Sequence, residues 1–349
     1  MICRNLIKDE LFDEPLYNIF KSDRFQSMKE EIELLLDLVL SHKKDYLRDF
    51  LRIKDQPVSG TKDKLRQRLI ENLESSRISD SELVRLLDQI EGSGNQHIYL
   101  QTCSNTYLSK LKQKDDFFSH LTGLGYQELY NREKSLLLPK EPTISSILHD
   151  DRWLKIKWVE RRDWYELLSD EIEDGLRIKK YKPHVSRGIT VFRTDLASGN
   201  AELMIQRLPR GTNYDAVRDR YNSELGRILD LNAFSLIDVG RSIRKIEDSG
   251  EVEKRSCNYL TVAGGRVAFR SRSRGSDYGL DPSLNRARSA LGTNVSGVLG
   301  NFYWLPCSQL ESKIHSHIYP NRVGIFGECT EQEVNYVLSR IRYFTQTTS

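Results

Sequence analysis

Long apolar runs are missing from this sequence of 349 residues. The longest extends from Ile32 to Leu40, and Glu33 and Asp37 interrupt it. A membrane span requires roughly 20 predominantly apolar residues, so we expect no helix that crosses a bilayer.

The N-terminal residues also argue against a secretory signal, which has a basic start followed by an apolar stretch. Four acidic residues come early instead: Asp9, Glu10, Asp13 and Glu14. We therefore expect an intracellular protein, in the cytoplasm or nucleoid of a bacterium or in the nucleus of a eukaryote.

Close cysteine pairs are absent, and the sequence contains no Cys-x-x-Cys motif. An odd number of scattered cysteines fits reduced core thiols better than a disulfide framework. The five are Cys3, Cys103, Cys257, Cys307 and Cys329.

The sequence also lacks the glycine motifs that cradle phosphates or dinucleotides, and it lacks Gly-x-Ser-x-Gly. His315 and His317 would share one side of a strand and could hold a metal, but no third ligand is identifiable. Asp195 and Glu202 come nearest to the acid pair of a metal-dependent nuclease, but no suitably placed lysine follows them. The sequence therefore favours a protein without catalytic residues, metal or cofactor.

A strong net charge is lacking too, because 53 Lys and Arg against 50 Asp and Glu leave only +3. Any basic surface must therefore be local. The composition, with 38% hydrophobic residues and four tryptophans, is typical of a folded chain. Its length corresponds to about two domains.

Residues 1–92 are predicted to be helical, because apolar residues recur at spacings of three and four. One helix is expected from Glu30 to Ser41, and Ser79 to Glu82 has the form of a capping box that starts another. Turn-forming residues then cluster at 92–95, so we place a linker at 93–96. Residues 97–349 form the second predicted domain, with a possible subdomain break near 175–188.

The second domain is predicted to be α+β with a mostly antiparallel sheet, because its strands come in runs instead of alternating regularly with helices. The expected strands are His97–Leu100, Trp153–Val159, Gly188–Arg193, Ala201–Arg207, Phe234–Val239, Tyr259–Ala263 and Arg266–Ser271. The expected helices are Asn213–Leu229, Ser283–Ala290 and Thr330–Ile341. Residues 101–150 give no clear pattern.

The most informative segment extends from Tyr46 to Glu71 and predicts two short helices that face each other. Pro57 ends the first helix, Gly60 permits a turn, and Ser59 or Thr61 can cap the second helix. The N-terminus of that second helix offers unpaired backbone N–H groups, and Lys62 and Lys64 add charge beside it. From Lys43 to Arg77 there are ten Lys and Arg and six Asp and Glu, so this segment has a local charge of +4.

The sequence from Pro57 to Lys62, followed by Leu65, Arg68 and Leu69, resembles the loop and second helix of a SAP domain. The resemblance covers roughly 35 residues, about 43–75, and implies a helix-loop-helix that binds the phosphate backbone of duplex DNA. Asp55 and Gln56 depart from the Gly-Leu that usually precedes the proline, and Ile53 is expected to replace the lost apolar anchor. The resemblance makes these residues candidates for DNA binding: Ser59, Gly60, Thr61, Lys62, Lys64 and Arg68.

Two further basic runs lie in the second domain and could add phosphate contacts. Period-two spacing places four arginines on one face of a strand, opposite Val267 and Phe269. These arginines are Arg266, Arg270, Arg272 and Arg274. The other run has Tyr181 among its cations, of which the DNA-binding candidates are Lys179, Lys180 and Lys182.

The first hypothesis is therefore a double-stranded-DNA-binding protein whose second domain adds basic contacts or a protein interface. A second hypothesis is a metal-dependent nuclease or other DNA-processing enzyme tethered by the SAP-like part. A third is an assembly subunit of a chromosome-segregation or defence complex, whose basic surfaces meet acidic protein partners. The sequence indicates no membrane partner and does not specify an oligomeric state.

Overall fold

The computed structural model describes residues 32–40, 42, 44–91, 94–134, 136–174, 176–209, 211–271, 276–292, 295–327 and 329–346. The chain divides into two compact units, Met1–Leu87 and Asp88–Ser349. The division falls within a helix, a few residues before the segment where the sequence predicts a linker.

The described part of the first unit contains helices and turns. Helix α1 covers residues 32–40, and it is followed by α2 (Lys44–Ile53), α3 (Lys62–Glu74) and the start of α4 (Asp80–Glu91). Each helix contributes leucines to one core, because spacings of three and four residues bring them to the same side. The fully buried ones are Leu36, Leu51, Leu65, Leu69, Leu83 and Leu87.

Polar contacts fix the helices of the first unit around this core. The predicted capping box is present, since the Ser79 backbone N–H donates to the Glu82 carboxylate and the Glu82 N–H donates to the Ser79 hydroxyl. The Lys54 ammonium also binds Glu82, and these hydrogen bonds lower the pKa of that carboxyl to about 2. Arg66 of α3 binds Glu33 and Asp37, one turn apart on α1.

The second unit is built on a large sheet. Its strands are β1 (Gln96–Cys103), β2 (Thr143–His149), β3 (Trp153–Glu173), β4 (Leu176–Asp195), β5 (Asn200–Gln206), β6 (Phe234–Leu236), β7 (Val252–Thr261), β8 (Arg266–Arg270), β9 (Val295–Trp304), β10 (Ile314–Ile318) and β11 (Val323–Phe326). Its helices are α5 (Asn105–Leu111), α6 (Lys114–Gly123), α7 (Tyr214–Leu225), α8 (Ile243–Asp248), α9 (Pro282–Ala290) and α10 (Glu331–Gln346).

The strand order is β2-β3-β4-β5-β1-β11-β10-β9-β7-β8, and β6 pairs with the end of β1. Every pair of these strands is antiparallel. The prediction of an α+β fold with an antiparallel sheet is confirmed.

The sheet has a hydrophobic core on each face, and β1 contributes to both. Successive side chains of a strand point to opposite faces. Ile98 and Leu100 therefore join a cluster with α8 and α10, whereas Tyr99 and Cys103 join a cluster with α5, α6 and α7. This two-sided burial explains why β1 has an almost continuous run of buried residues.

Several elements differ from those expected. Residues 101–150, which gave no pattern, contain α5, α6 and β2, and β9, β10 and β11 were also not predicted as strands. The sixth strand ends at Leu236, and a 3-10 turn begins at Val239 where the sequence suggested that the strand continues. Of the segment 175–188, where a subdomain break was suggested, residues 176–188 lie within β4 of the longest hairpin, and residue 175 lies outside the described residues.

No helix in the described ranges combines the length and the apolar character that crossing a membrane requires. Cys103, Cys257, Cys307 and Cys329 all have free thiols. Cys307 is exposed, so the expectation of a core thiol is wrong at this position, while Cys3 lies outside the described residues.

A carboxylate is buried within the second unit, beside α8. Glu247 is fully buried, and the hydroxyl groups of Tyr259 and Tyr278 both donate to it. Arg244 and Arg288 reach the same carboxylate at 3.0 and 3.1 Å. Two arginines and two hydroxyl groups therefore compensate the loss of hydration of one buried charge.

We predict that Glu247→Ala lowers the free energy of unfolding by about 3–5 kcal/mol, because it leaves buried hydroxyl groups and guanidinium groups without their acceptor. The matched control is Asp248→Ala, which removes an adjacent carboxylate that is 46% exposed and binds the same two arginines. We expect the control to cost less than about 1 kcal/mol. Urea unfolding monitored by circular dichroism measures both, and equal losses would contradict the prediction.

Candidate nucleic-acid interface

The SAP-like segment forms a loop between α2 and α3, as the sequence predicts. Leu47 and Leu51 of α2 and Leu65 and Leu69 of α3 are buried. The residues from 59 to 64 are all exposed. The apolar side of each helix therefore fixes the pair, while the connecting loop is open to solvent.

Local backbone geometry sets the start of α3. The sequence left two candidates for the cap, and the structure has Thr61, whose hydroxyl accepts from the Lys64 N–H at 3.4 Å. Gly60 has a φ of +135°, which residues with a side chain rarely adopt, and a Cβ there would lie 3.0 Å from the Cβ of Lys64. Glycine at position 60 lets the chain turn tightly into the helix.

Two lysines stand at this helix start. Lys62 donates to the carbonyl of Leu40 at 2.6 Å, and Lys64 extends along Gly60. Neither has a carboxylate ion-pair partner among the described residues. Their charges add to the partial positive charge of the helix N-terminus, and the exposed carboxylate of Asp63 between them offsets part of this charge.

Arg68 occupies a different place from the lysines. Its guanidinium donates to the carbonyl of Pro57 at 3.0 Å and to the carbonyl of Ser59. Through these two hydrogen bonds, Arg68 holds the loop against α3. Ile53 is 79% exposed, so the expectation that it replaces the lost apolar anchor is wrong.

The arginine run lies partly on β8, at one edge of the sheet. Arg266 and Arg270 are exposed, while Phe269 is buried and Val267 is half-buried against the same core. The predicted separation of faces is confirmed for these residues. Arg272 and Arg274 lie outside the described residues.

The lysine run lies on β4, opposite an acidic segment of β3. Lys179 pairs across the hairpin with Asp170, and Lys182 pairs with Glu166. Lys180 lies 3.7 Å from Glu171. Lys180 and Lys182 share one face and Lys179 lies on the other, so the three lysines do not form one track.

The two basic runs of the second unit are far apart in the sheet. Strand β4 is third in the order and β8 is tenth. Seven strand positions at about 4.8 Å each correspond to a path of roughly 34 Å measured along the sheet. They are therefore two separate surfaces.

The suggested nuclease pair has other partners. Glu202 is buried and binds Arg193 at 2.9 Å and Arg342 at 2.8 Å. The Asp195 carboxylate accepts from the backbone N–H groups of Ala197 and Ser198 in the hairpin turn. Within the described ranges, no group of three or more His, Cys, Asp or Glu could hold a metal ion.

His315 and His317 do share one side of β10, where they join a row of rings across the sheet. Tyr303 stacks on His315 with ring centroids 4.5 Å apart. The centroid of the Phe326 ring lies 5.1 Å from that of His315, and the two ring planes are inclined by 42°. Arg255 stands 4.7 Å from the centroid of the Tyr303 ring, and Arg207 stands 5.5 Å from that of Phe326. In the sequence, the one sign of this row is the alternation of histidines with other residues in the segment that forms β10.

The ring faces in this row are already occupied by neighbouring groups. Tyr303 lies between Arg255 and His315, and His315 lies between Tyr303 and Phe326. Nucleobase recognition by stacking requires an accessible ring face. The row is therefore better suited to stabilise this part of the sheet than to bind bases.

Histidines on this side of the sheet are held neutral. Burial, with the charge of Arg322, lowers the pKa of His97 to about 3. Burial, with the neighbouring His315, lowers the pKa of His317 to about 4. In the unfolded chain the same rings have a pKa near 6.5 and bind protons below it.

We therefore predict that the free energy of unfolding falls as the pH drops from about 6.5 towards 4, because only the unfolded chain gains protons on His97 and His317. Each ring contributes up to about 2 kcal/mol of this loss between pH 7 and pH 5. The double variant His97→Gln/His317→Gln should lose less on acidification than the original chain. Urea unfolding at the two pH values measures the difference, and an unchanged pH dependence would refute this assignment.

No protein-family model matches the chain, and none of the curated proteins matches it. Its function therefore has to be inferred from the residues themselves. Of the surfaces described, the loop at the start of α3 combines exposure, a helix N-terminus and lysines without carboxylate partners.

Proposed function

We propose that the protein binds the phosphate backbone of duplex DNA through the loop and first turn of α3. One observation carries the proposal: Ser59 to Lys64 are exposed at the N-terminus of a helix of 13 residues, beside two lysines that have no ion-pair partner among the described residues. Backbone N–H groups and the helix dipole favour an anion at this position. The resemblance to a SAP domain points to the same residues.

Within this proposal Arg68 positions the loop. Its hydrogen bonds to the carbonyls of Pro57 and Ser59 orient the loop backbone. A loop held in one conformation loses less entropy when it binds a phosphate group. Ser59, Gly60, Thr61, Lys62 and Lys64 then form the contact surface.

The second unit contributes unequally to DNA binding in this proposal. Arg266 and Arg270 project from an edge strand and can reach additional phosphates. Lys179, Lys180 and Lys182 contribute less, because carboxylates of β3 face them across the hairpin. Contacts to the phosphate backbone of DNA do not distinguish one base sequence from another, so we expect little base preference.

Binding rather than cleavage is the activity that we propose. The carboxylate of Glu202 is buried between two arginines, which is unfavourable for a role as a metal ligand. A duplex-DNA partner also fits the intracellular location that the sequence indicates.

We predict that Lys64→Glu weakens duplex binding about tenfold, or about 1.4 kcal/mol, because it replaces an attraction to phosphate by a repulsion. It should also reduce the slope of log affinity against log salt by about one. Fluorescence anisotropy of the full chain with a labelled duplex, at two salt concentrations, measures both quantities.

Arg77→Glu is the matched control for this experiment. Arg77 is exposed beyond the other end of α3, and the substitution changes the net charge by the same amount. We expect this variant to bind DNA with an affinity within about twofold of that of the original chain, because salt screens the interaction between phosphate groups and charges that are not close to them. Equal effects of the two variants would show that the loop is not the binding site.

A further inference from the structure

Strands β3 and β4 extend well beyond the rest of the sheet. The two strands pair from Trp153 and Asp195 to Glu173 and Leu176. Pairing of β2 with β3 ends at Val159, and β5 first pairs with β4 at Thr190. In the described sheet, the part beyond these positions is a two-stranded arm, residues 161–188, roughly 40 Å long at about 3.3 Å per residue.

The arm exposes an unusual amount of apolar surface. Seven of the sixteen large hydrophobic side chains that are exposed in the described residues lie between 165 and 185. They are Tyr165, Leu167, Leu168, Ile172, Leu176, Tyr181 and Val185. An isolated pair of strands has little stability in water, and a concentration of exposed apolar side chains marks an interaction surface.

The register separates the side chains of the arm into two faces. The face that we call the stripe face contains these cross-strand pairs: Asp163 with Val185, Tyr165 with Pro183, Leu167 with Tyr181, Asp170 with Lys179, and Ile172 with Arg177. On the other face, Trp164 stacks on His184 with centroids 4.2 Å apart, and His184 binds Glu166 at 2.8 Å.

Most apolar side chains of the stripe face lie in the half nearest the body of the sheet, although Asp163 lies there too and Ile172 lies near the tip. The half nearest the body of the sheet presents Tyr165, Leu167 and Tyr181, all more than 45% exposed. The half nearest the tip has its acid on β3 and its bases on β4. There Arg177 binds Asp170 through two hydrogen bonds of 2.7 Å.

The arm lacks the basic excess that a DNA-binding surface needs. Residues 161–188 contain six Asp and Glu and seven Lys and Arg, so their net charge is only +1. From residue 163 to the tip, the charged side chains of β3 are all acidic, and the Lys and Arg side chains lie on β4, so pairing of β3 with β3 or of β4 with β4 at the edges of two arms would bring like charges together. The stripe face has opposite charges on its two strands, so it is complementary to the stripe face of a second copy.

We propose that two copies of this chain associate through their stripe faces, with the arms parallel and related by a twofold axis along them. This axis places β3 of one arm over β4 of the other. Asp170 then faces Lys179 of the other copy, while Leu167 faces Tyr181 of the other copy. Tyr165 likewise faces Pro183 of the other copy, so three of the five cross-strand positions are matched, whereas Asp163 faces Val185 and Ile172 faces Arg177 of the other copy.

The alternative twofold axis, across the arms, gives a poor match. It reverses one arm and places β3 over β3, so Tyr165 faces Asp170 of the other copy. Pro183 then faces Lys179 of the other copy. Apolar groups would cover charges without compensating them, which is unfavourable.

A charge-exchange experiment with full-length protein, free of nucleic acid, tests this arrangement by sedimentation velocity. We expect the original chain to form a concentration-dependent dimer. Asp170→Lys and Lys179→Asp should each raise the dimer dissociation constant at least about tenfold, because positions 170 and 179 then carry like charges across the twofold axis. An equimolar mixture of the two variants should restore the dimer, since opposite charges meet again at both contacts.

The control pair is Glu166→Lys and Lys182→Glu, a cross-strand pair with the same charges on the opposite face. Each of these variants should dimerise as the original chain does, and mixing them should change nothing. The proposal is overturned if the original chain stays monomeric at every concentration, or if mixing the first two variants restores no dimer. It is equally overturned if the control pair shows the same loss and recovery, because non-specific charge attraction would then explain both.

Discussion

The pairing of β1 with neighbours on both sides holds the second unit together. Strand β5 lies along one edge of β1, and β11 and β6 share the other edge. Because its side chains alternate between two cores, the strand is buried on both faces as well. Both layers of helices pack against this strand, and the arm and the arginines of β8 lie on opposite sides of it in the strand order.

In the first unit, the exposed loop joins two short helices, and side-chain packing and hydrogen bonds hold it in place. Leucines fix α2 and α3 to each other, and Arg68 fixes the connecting loop through two carbonyls. The polar groups that remain outside are those at the start of α3. Arg68 therefore fixes the loop through its own hydrogen bonds, whereas Lys64 stays exposed at the helix start.

Elements with strong local signals were predictable from the sequence. The capping box at Ser79 and the helix after Thr61 follow from side-chain chemistry within four residues, and α+β with an antiparallel sheet followed from the runs of strands. The weaker signals failed because pairing between strands decides them. The strand from Val295 to Trp304 contains two glycines, and the lysines of β4 looked like a basic patch because the acids that face them belong to another strand.

The order of strands also has a consequence for how the chain acquires its structure. Gln96 pairs with Ile325 on one side and with Gln206 on the other. During synthesis, β1 leaves the ribosome long before β11 exists, so the part of its edge from Gln96 to Ile98, which β6 does not cover, has no partner strand until β11 has been made. Such distant pairing slows folding and leaves an unprotected strand available to other nascent chains.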